Sequence, residues 1–175
     1  AEKVRENASL ISTAAQYEVD LALKLISANV LSNVHGLGRQ AMDHDQIMRA
    51  SEFYAKNIGI RSQMATLLHQ WDFGLSDVRV EKHTVTRESG KTEEIHIPFG
   101  IHRVGDKEHP LMFLHESSGT QGAFILLSRI LPALQHGGLV VIDELEADLH
   151  PHMLTPLLDL FFSPKTNPHN AQIIF

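Results

Sequence analysis

Gly137-Gly138-Leu139-Val140-Val141-Ile142-Asp143-Glu144-Leu145-Glu146-Ala147-Asp148-Leu149-His150-Pro151 is the stretch on which the reading of the chain turns. Four apolar residues, Leu139 to Ile142, run without a polar break and end in two adjacent acids. A short apolar run bounded by glycines predicts a strand buried on both faces, the kind found inside a parallel sheet. Ligands of such sheets bind outside the carboxyl ends of the strands, so Asp143 and Glu144 fall where a ligand would sit. The plain alternative is that two acids end a strand and begin a turn.

If the ligand is a nucleotide, the two acids divide the work. Asp143 is the candidate to hold Mg²⁺, directly or through water. Glu144, the next residue, is the candidate general base for an attacking water.

The 175 residues are enough for one domain with a real core, and 43% apolar with 21% charged residues is ordinary for a globular protein. No apolar run is long enough to span a membrane, and no apolar leader opens the chain. The absence of cysteine excludes a disulfide scaffold and a thiolate metal site, and fits a reducing cytoplasm. A net charge of −6 argues against a basic nucleic-acid surface over the whole chain, though not against a local patch. The chain starts at Ala1 without Met and stops in Gln172-Ile173-Ile174-Phe175, which reads as a strand cut before its loop. A piece of a longer protein is the expectation.

Working outward, residues 2–33 carry helical spacing, with Leu10, Ile11, Ala14 and Ala15 on one face and Val19, Leu21, Leu25, Ile26 and Val30 continuing it. Asn33 to Gly38 breaks the pattern. Further helices are predicted from Asp45 to Lys56, closed by Asn57-Ile58-Gly59, and from Arg61 to Trp71. From Leu75 the period becomes two, through Val78, Val80, Thr84, Thr86, Ile95, Ile97 and Phe99, with 87–91 as a hairpin turn. A strand Leu111–Leu114 comes after the turn-like segment 105–110. A helix from Ser118 to Leu134, the strand at 139–142, a helix from about His152 to Phe162 and a last strand complete the order. This divides the chain into a helical insertion (1–74), a hairpin and strand region (75–115) and an α/β core (116–175).

Ser89-Gly90-Lys91-Thr92 imitates half of a phosphate-binding loop, G-x-x-x-x-G-K-[ST]. The first glycine should fall at position 85, which is valine. The next residues, Glu93 to Pro98, read as strand. Without a helix N-terminus the segment lacks the N–H groups and dipole that bind phosphate, so a hairpin turn is the better reading, these residues contain no Walker A, and any ATP hydrolysis is expected of the intact protein.

A second constellation stands upstream of Asp143. Glu116-Ser117-Ser118-Gly119-Thr120-Gln121-Gly122 joins a strand to a helix, and small residues there let main-chain N–H groups approach an anion. An ordinary helix cap explains the same residues. Its order relative to Asp143-Glu144 carries a resemblance. Ser118-Gly119-Thr120-Gln121 resembles the LSGGQ signature of ABC-type ATPases, which opens a helix leading into the Walker B strand. Asp148 lies where the D-loop would be. Ser117-Ser118-Gly119-Thr120-Gln121, Asp143-Glu144 and Leu149-His150-Pro151 together look like the AAA-family, ABC-headed ATPases of bacterial phage defence, among them abortive-infection, OLD-like and Septu- or retron-associated ATPases. The resemblance is tight over about residues 110–175 and loose before them.

The resemblance implies an α/β P-loop NTPase head of ABC type that binds ATP and Mg²⁺ and self-associates into an ATP-sandwich dimer. Asp143 would serve Mg²⁺ and Glu144 the water. Ser118, Gly119 and Gln121 would face the γ-phosphate of a partner's ATP, and Asp148 would bridge the two sites. The family's switch histidine would fall beyond Phe175. The implied function is ATP hydrolysis controlling an effector, a nuclease partner or attached domain, in anti-phage defence. A nucleotide-gated DNA clamp of SMC or RecF type uses the same site. A third reading, a metal-dependent hydrolase built on Asp143, Glu144, His150 and His152, is disfavoured because two histidines two apart at a helix start do not share a face. The other ten histidines are scattered singly and read as surface or satisfied side chains. Trp71 and Phe73 read as core. Lys3, Arg5, Arg39 and Arg49 read as solvated helix faces before nucleic-acid contacts.

Overall fold

The computed structural model describes residues 30–35, 38–39, 43–71, 73–86, 90–149 and 151–175. In chain order the elements are strands β1 (Val30–Ser32), β2 (Val34–His35) and β3 (Gly38–Arg39), helices α1 (His44–Lys56) and α2 (Ile58–Gln70), and strands β4 (Asp77–Thr86), β5 (Thr92–Val104) and β6 (Lys107–Met112). A 3-10 turn over Phe113–His115 leads to α3 (Ser118–His136), β7 (Leu139–Val141), α4 (Leu145–Asp148), α5 (Pro151–Phe162) and β8 (Gln172–Ile174).

The run at 139–142 is the middle strand of a parallel sheet ordered β1-β7-β8. Its register pairs Val140 with Leu31 on one side and Ile173 on the other. Val140 and Ile142 are buried, as expected of a strand covered on both faces. Helix α3 supplies much of that cover: Ala123 to Leu127, Ile130, Leu131, Ala133 and Leu134 are all buried in one core with Val140 and Ile142. The fold is thus mixed α/β, with a parallel sheet and helices, of the kind a P-loop NTPase domain has.

The second sheet is antiparallel, ordered β4-β5-β6. Thr86 pairs with Thr92 across the hairpin, and the strand runs on from Thr92 with no helix after Gly90-Lys91. Gly90 and Lys91 of the imitation phosphate loop thus lead straight into a strand. Pro98 pairs with Val80 just past the end of β6, where β5 has a single neighbour, so its missing N–H breaks no ladder there.

Several boundaries differ from the sequence reading, three of them with a clear physical cause. Val30–Ser32, read as the end of a helix, is a strand, because pairing with the central strand outweighs three residues of helical spacing; residues 2–29 lie outside the described residues. Gly59 does not close α1. Asn57 does, donating from its side chain to the Phe53 carbonyl at 2.8 Å, and Gly59 already belongs to α2. Finally, the strand expected at 111–114 starts earlier, at Lys107: it is an edge strand, which tolerates Pro110.

Helix α1 packs against α3 and β5, and helix α2 against α3 and β4. Tyr54 of α1 is fully buried and donates its hydroxyl to the Phe124 carbonyl of α3 at 2.9 Å. Its ring packs tilted against that of Phe124 at a centroid distance of 4.9 Å, and Phe124 against Phe113 at 4.3 Å. Burial pushes the Tyr54 phenol well above its ordinary value. Trp71 is in the core, as expected.

Candidate functional site

Asp143 and Glu144 follow the buried Ile142 at the carboxyl end of β7, and both are exposed. Two contacts fix the main chain there. On one side the Ile142 N–H donates to the Ile174 carbonyl at 2.9 Å, continuing the ladder with β8. On the other the ladder with β1 ends as Asn33 N–H reaches the Val141 carbonyl at 3.3 Å. The Asn33 side chain then takes over. Its Oδ1 accepts from the Asp143 N–H at 2.8 Å and its Nδ2 donates to the Asp143 carbonyl at 2.9 Å. Asn33 is 1% exposed, so its amide must find partners inside the protein, and it finds both on one residue.

Glu144 stands in the left-handed region, φ 53° and ψ 50°, before the single turn of α4. A side chain with a Cβ is uncommon there, and such residues gather at functional sites. The turn redirects the chain within one residue, which leaves both carboxylates at the end of the sheet.

The signature-like segment is built as a capped helix start. Ser117 is the N-cap of α3: its Oγ accepts from the Thr120 N–H at 3.2 Å and lies 2.7 Å from the buried Thr120 Oγ1. Gln121 Nε2 turns back to the carbonyls of Leu114 (3.1 Å) and Glu116 (3.0 Å). Ser117 and Ser118 are exposed and Gly119 is half-buried. The capping roles thus fall on Ser117 and Gln121, while the Ser118 side chain lies open at the helix's first residue.

Helix and strand are linked through Gly137-Gly138. Gly137 has φ +76°, and a Cβ there would sit 3.2 Å from the His169 carbonyl, so the tight link suits glycine. A two-residue link, with α3 packed on β7, makes helix and strand run in opposite senses. Nineteen helical residues reach about 28 Å, while 139–143 spans about 16 Å, so the start of α3 overshoots the acids at the same end of the sheet.

The approach to α3 is tied to the antiparallel sheet. The Glu116 side chain is 5% exposed and its Oε1 is 2.8 Å from His102 Nε2, while His102 Nδ1 lies 3.1 Å from the Gly74 carbonyl. Gly100 leaves the space: a Cβ there would collide with Glu116 Oε1 and approach Leu75 Cδ2 to 2.7 Å.

Other candidates fare differently. His150 and the Asp148 side chain lie outside what the structure describes, and Asp148 itself ends α4. Among the described residues no three His, Asp or Glu side chains come together to hold a metal. His69 and His136 are satisfied by the carbonyls of Leu75 and Pro132. A groove of about 660 Å³ between α2 and β4, lined by Arg61, His69 and Arg79 among others, shares no residue with the parallel sheet. Its Arg79 pairs with Glu108 at 2.7 Å, which raises the guanidinium and lowers the carboxyl from their ordinary values. The sequence reading gives Asn33 no role beyond marking a break. Nothing local in Ser32-Asn33-Val34 says that its amide meets a residue 110 positions away.

A family model described as "AAA domain, putative AbiEii toxin, Type IV TA system" matches residues 3–175. The chain belongs to this AAA-domain family. AAA domains are nucleotide-binding ATPases, and exposed acids at the carboxyl end of a central parallel strand fit that chemistry. No curated protein and no solved structure matches the chain. The donor set at the end of β7, two neighbouring carboxylates facing out, suits a hard divalent cation accompanying phosphates. Among the described residues no helix is long and apolar enough to cross a membrane.

Proposed function

We propose that this AAA domain forms the signature-helix and Walker B portion of an ABC-type ATPase head. The observation that carries the proposal is the placement of Asp143 and Glu144 at the carboxyl end of the middle strand of a parallel sheet, with α3 packed against that strand.

Asp143 would hold Mg²⁺, which with ATP supplies charge neutralisation at the transferred phosphate. The Glu144 carboxylate accepts a proton from the attacking water. The left-handed turn at Glu144 supports that role, since it carries the second acid off the strand axis instead of into the next buried position. Ser118 and Gly119, at the open start of α3, face the γ-phosphate bound by a second copy. Gln121, whose Nε2 bonds the Leu114 and Glu116 carbonyls, supports that helix start from behind. Asp148 lies between the two sites of the pair.

Such a pair closes only while a triphosphate joins the halves, so hydrolysis opens it and the change is passed to an effector. We place this cycle in the cytoplasm, with a nuclease as the effector and phage defence as the setting. A DNA clamp of SMC or RecF type would share the site and differ in needing closure more than turnover.

The test is steady-state ATP hydrolysis by the intact protein, P-loop included, with Glu144→Gln. Loss of at least about 100-fold in kcat with ATP binding retained is expected of a general base. Turnover at the unsubstituted rate would remove Glu144 from that role.

A further inference from the structure

The ATPase reading assigns no task to Asn33, yet this buried side chain makes a long-range contact that holds both peptide groups of Asp143. At Ser32 and Val141 the parallel ladder between β1 and β7 ends, and β1 turns away into the short β2–β3 hairpin. A side-chain amide can present an N–H donor and a C=O acceptor side by side, as a strand's backbone does, with a second N–H to spare. Asn33 therefore extends the sheet by one residue past the point where its own backbone leaves it. The bonds at 2.8 and 2.9 Å lie on either side of the Asp143 Cα, so together they fix the φ and ψ from which its carboxylate projects. Glu144 takes its left-handed turn from that fixed residue.

We infer that Asn33 is a positioning residue for the acidic pair: its amide locks the Asp143 main chain so that the Asp143 and Glu144 carboxylates are held in place for a divalent cation and water. The inference rests on the ATPase reading for its consequence, but not for the lock itself. Aspartate at position 33 would keep the acceptor for the Asp143 N–H and lose the donor to its carbonyl. Alanine would lose both.

Two measurements on the intact protein, P-loop included, test this. The first is amide hydrogen exchange, without nucleotide, at Asp143 and at Val140 of the same strand. In Asn33→Ala, exchange at Asp143 should rise about tenfold or more while Val140 keeps its protection. Asn33→Asp should leave Asp143 largely protected. The second is ATP turnover, in which Asn33→Ala should lower kcat about tenfold or more with KM for ATP within about twofold, and Asn33→Asp should fall between it and the unsubstituted protein. An unchanged Asp143 exchange rate in Asn33→Ala overturns the lock. A raised exchange rate with unchanged kcat overturns the positioning role. A loss of protection at Val140 as well as Asp143 in both variants also overturns it, since Asn33 would then merely hold the sheet together. Failure of the ATPase reading is seen separately, as absent turnover in the unsubstituted protein or full turnover in Glu144→Gln.

Discussion

The left-handed backbone at Glu144 makes a prediction whose sign is opposite to the usual one. Consider Glu144→Gly and Glu144→Ala side by side. Both remove the carboxylate and every contact it makes, so their difference reports the Cβ alone. At φ 53° and ψ 50° a residue with a Cβ pays roughly 1–2 kcal/mol in steric conflict with its own carbonyl. Glycine escapes that cost but loses more freedom on folding, roughly 0.5–1 kcal/mol relative to alanine. The balance favours glycine by about 0.5–1 kcal/mol, whereas in an ordinary helical or extended position alanine is the more stable of the two. With a urea m-value of about 2 kcal/mol/M, the glycine variant should unfold about 0.3–0.5 M later than the alanine variant, at equal m. Equilibrium urea unfolding at neutral pH decides it. An alanine variant as stable as the glycine variant, or more so, would refute the claim that the acid is held in a strained turn. Both variants should lose ATP turnover, so that the glycine substitution relieves strain at the expense of function.

Gly100→Ala should cost about 1.5–3 kcal/mol, because the new Cβ displaces a Glu116 carboxylate that is buried and bonded to His102. Urea unfolding in a Glu116→Ala background should recover at least about 1 kcal/mol of that cost, and full additivity of the two changes would contradict the mechanism. Tyr54→Phe keeps the ring in its place among Phe113 and Phe124 and removes only the hydroxyl that bonds the Phe124 carbonyl, so a loss of about 1 kcal/mol is expected in the same assay. A loss above about 3 kcal/mol would mean that the phenol does more than complete one hydrogen bond.

The centre of the fold was legible because its signals are local. Leu139 to Ile142 can be read as a buried strand from four residues, and Ser117 followed by a long apolar helical face can be read as a helix start. The structure places both as expected, with β7 in the middle of its sheet and α3 packed upon it. What escaped were features set by distant partners. Val30–Ser32 is too short to show a period of two, and only its pairing with Leu139–Val141 makes it a strand. Asn33 looks like a loop residue until Asp143 is brought beside it. Lys107–Pro110 has the composition of a turn and becomes strand because β5 offers a free edge. The place of Asp143 and Glu144 at a strand's end was legible from position, but the left-handed turn at Glu144 has no signature in an Ile-Asp-Glu-Leu sequence, since glutamate is not a residue that prefers that conformation.

The central claim is that acids from one copy and the start of α3 from another complete a single site, and mixing inactive variants tests it most directly. Protein with Glu144→Gln lacks the base but keeps the helix start; protein with Ser118→Arg lacks the helix start but keeps the base. In randomly paired dimers half are mixed, and each mixed pair holds one intact site of two, so the mixture should regain about a quarter of the unsubstituted ATP turnover. A mixture that forms dimers with ATP yet stays as inactive as either variant alone would contradict the account.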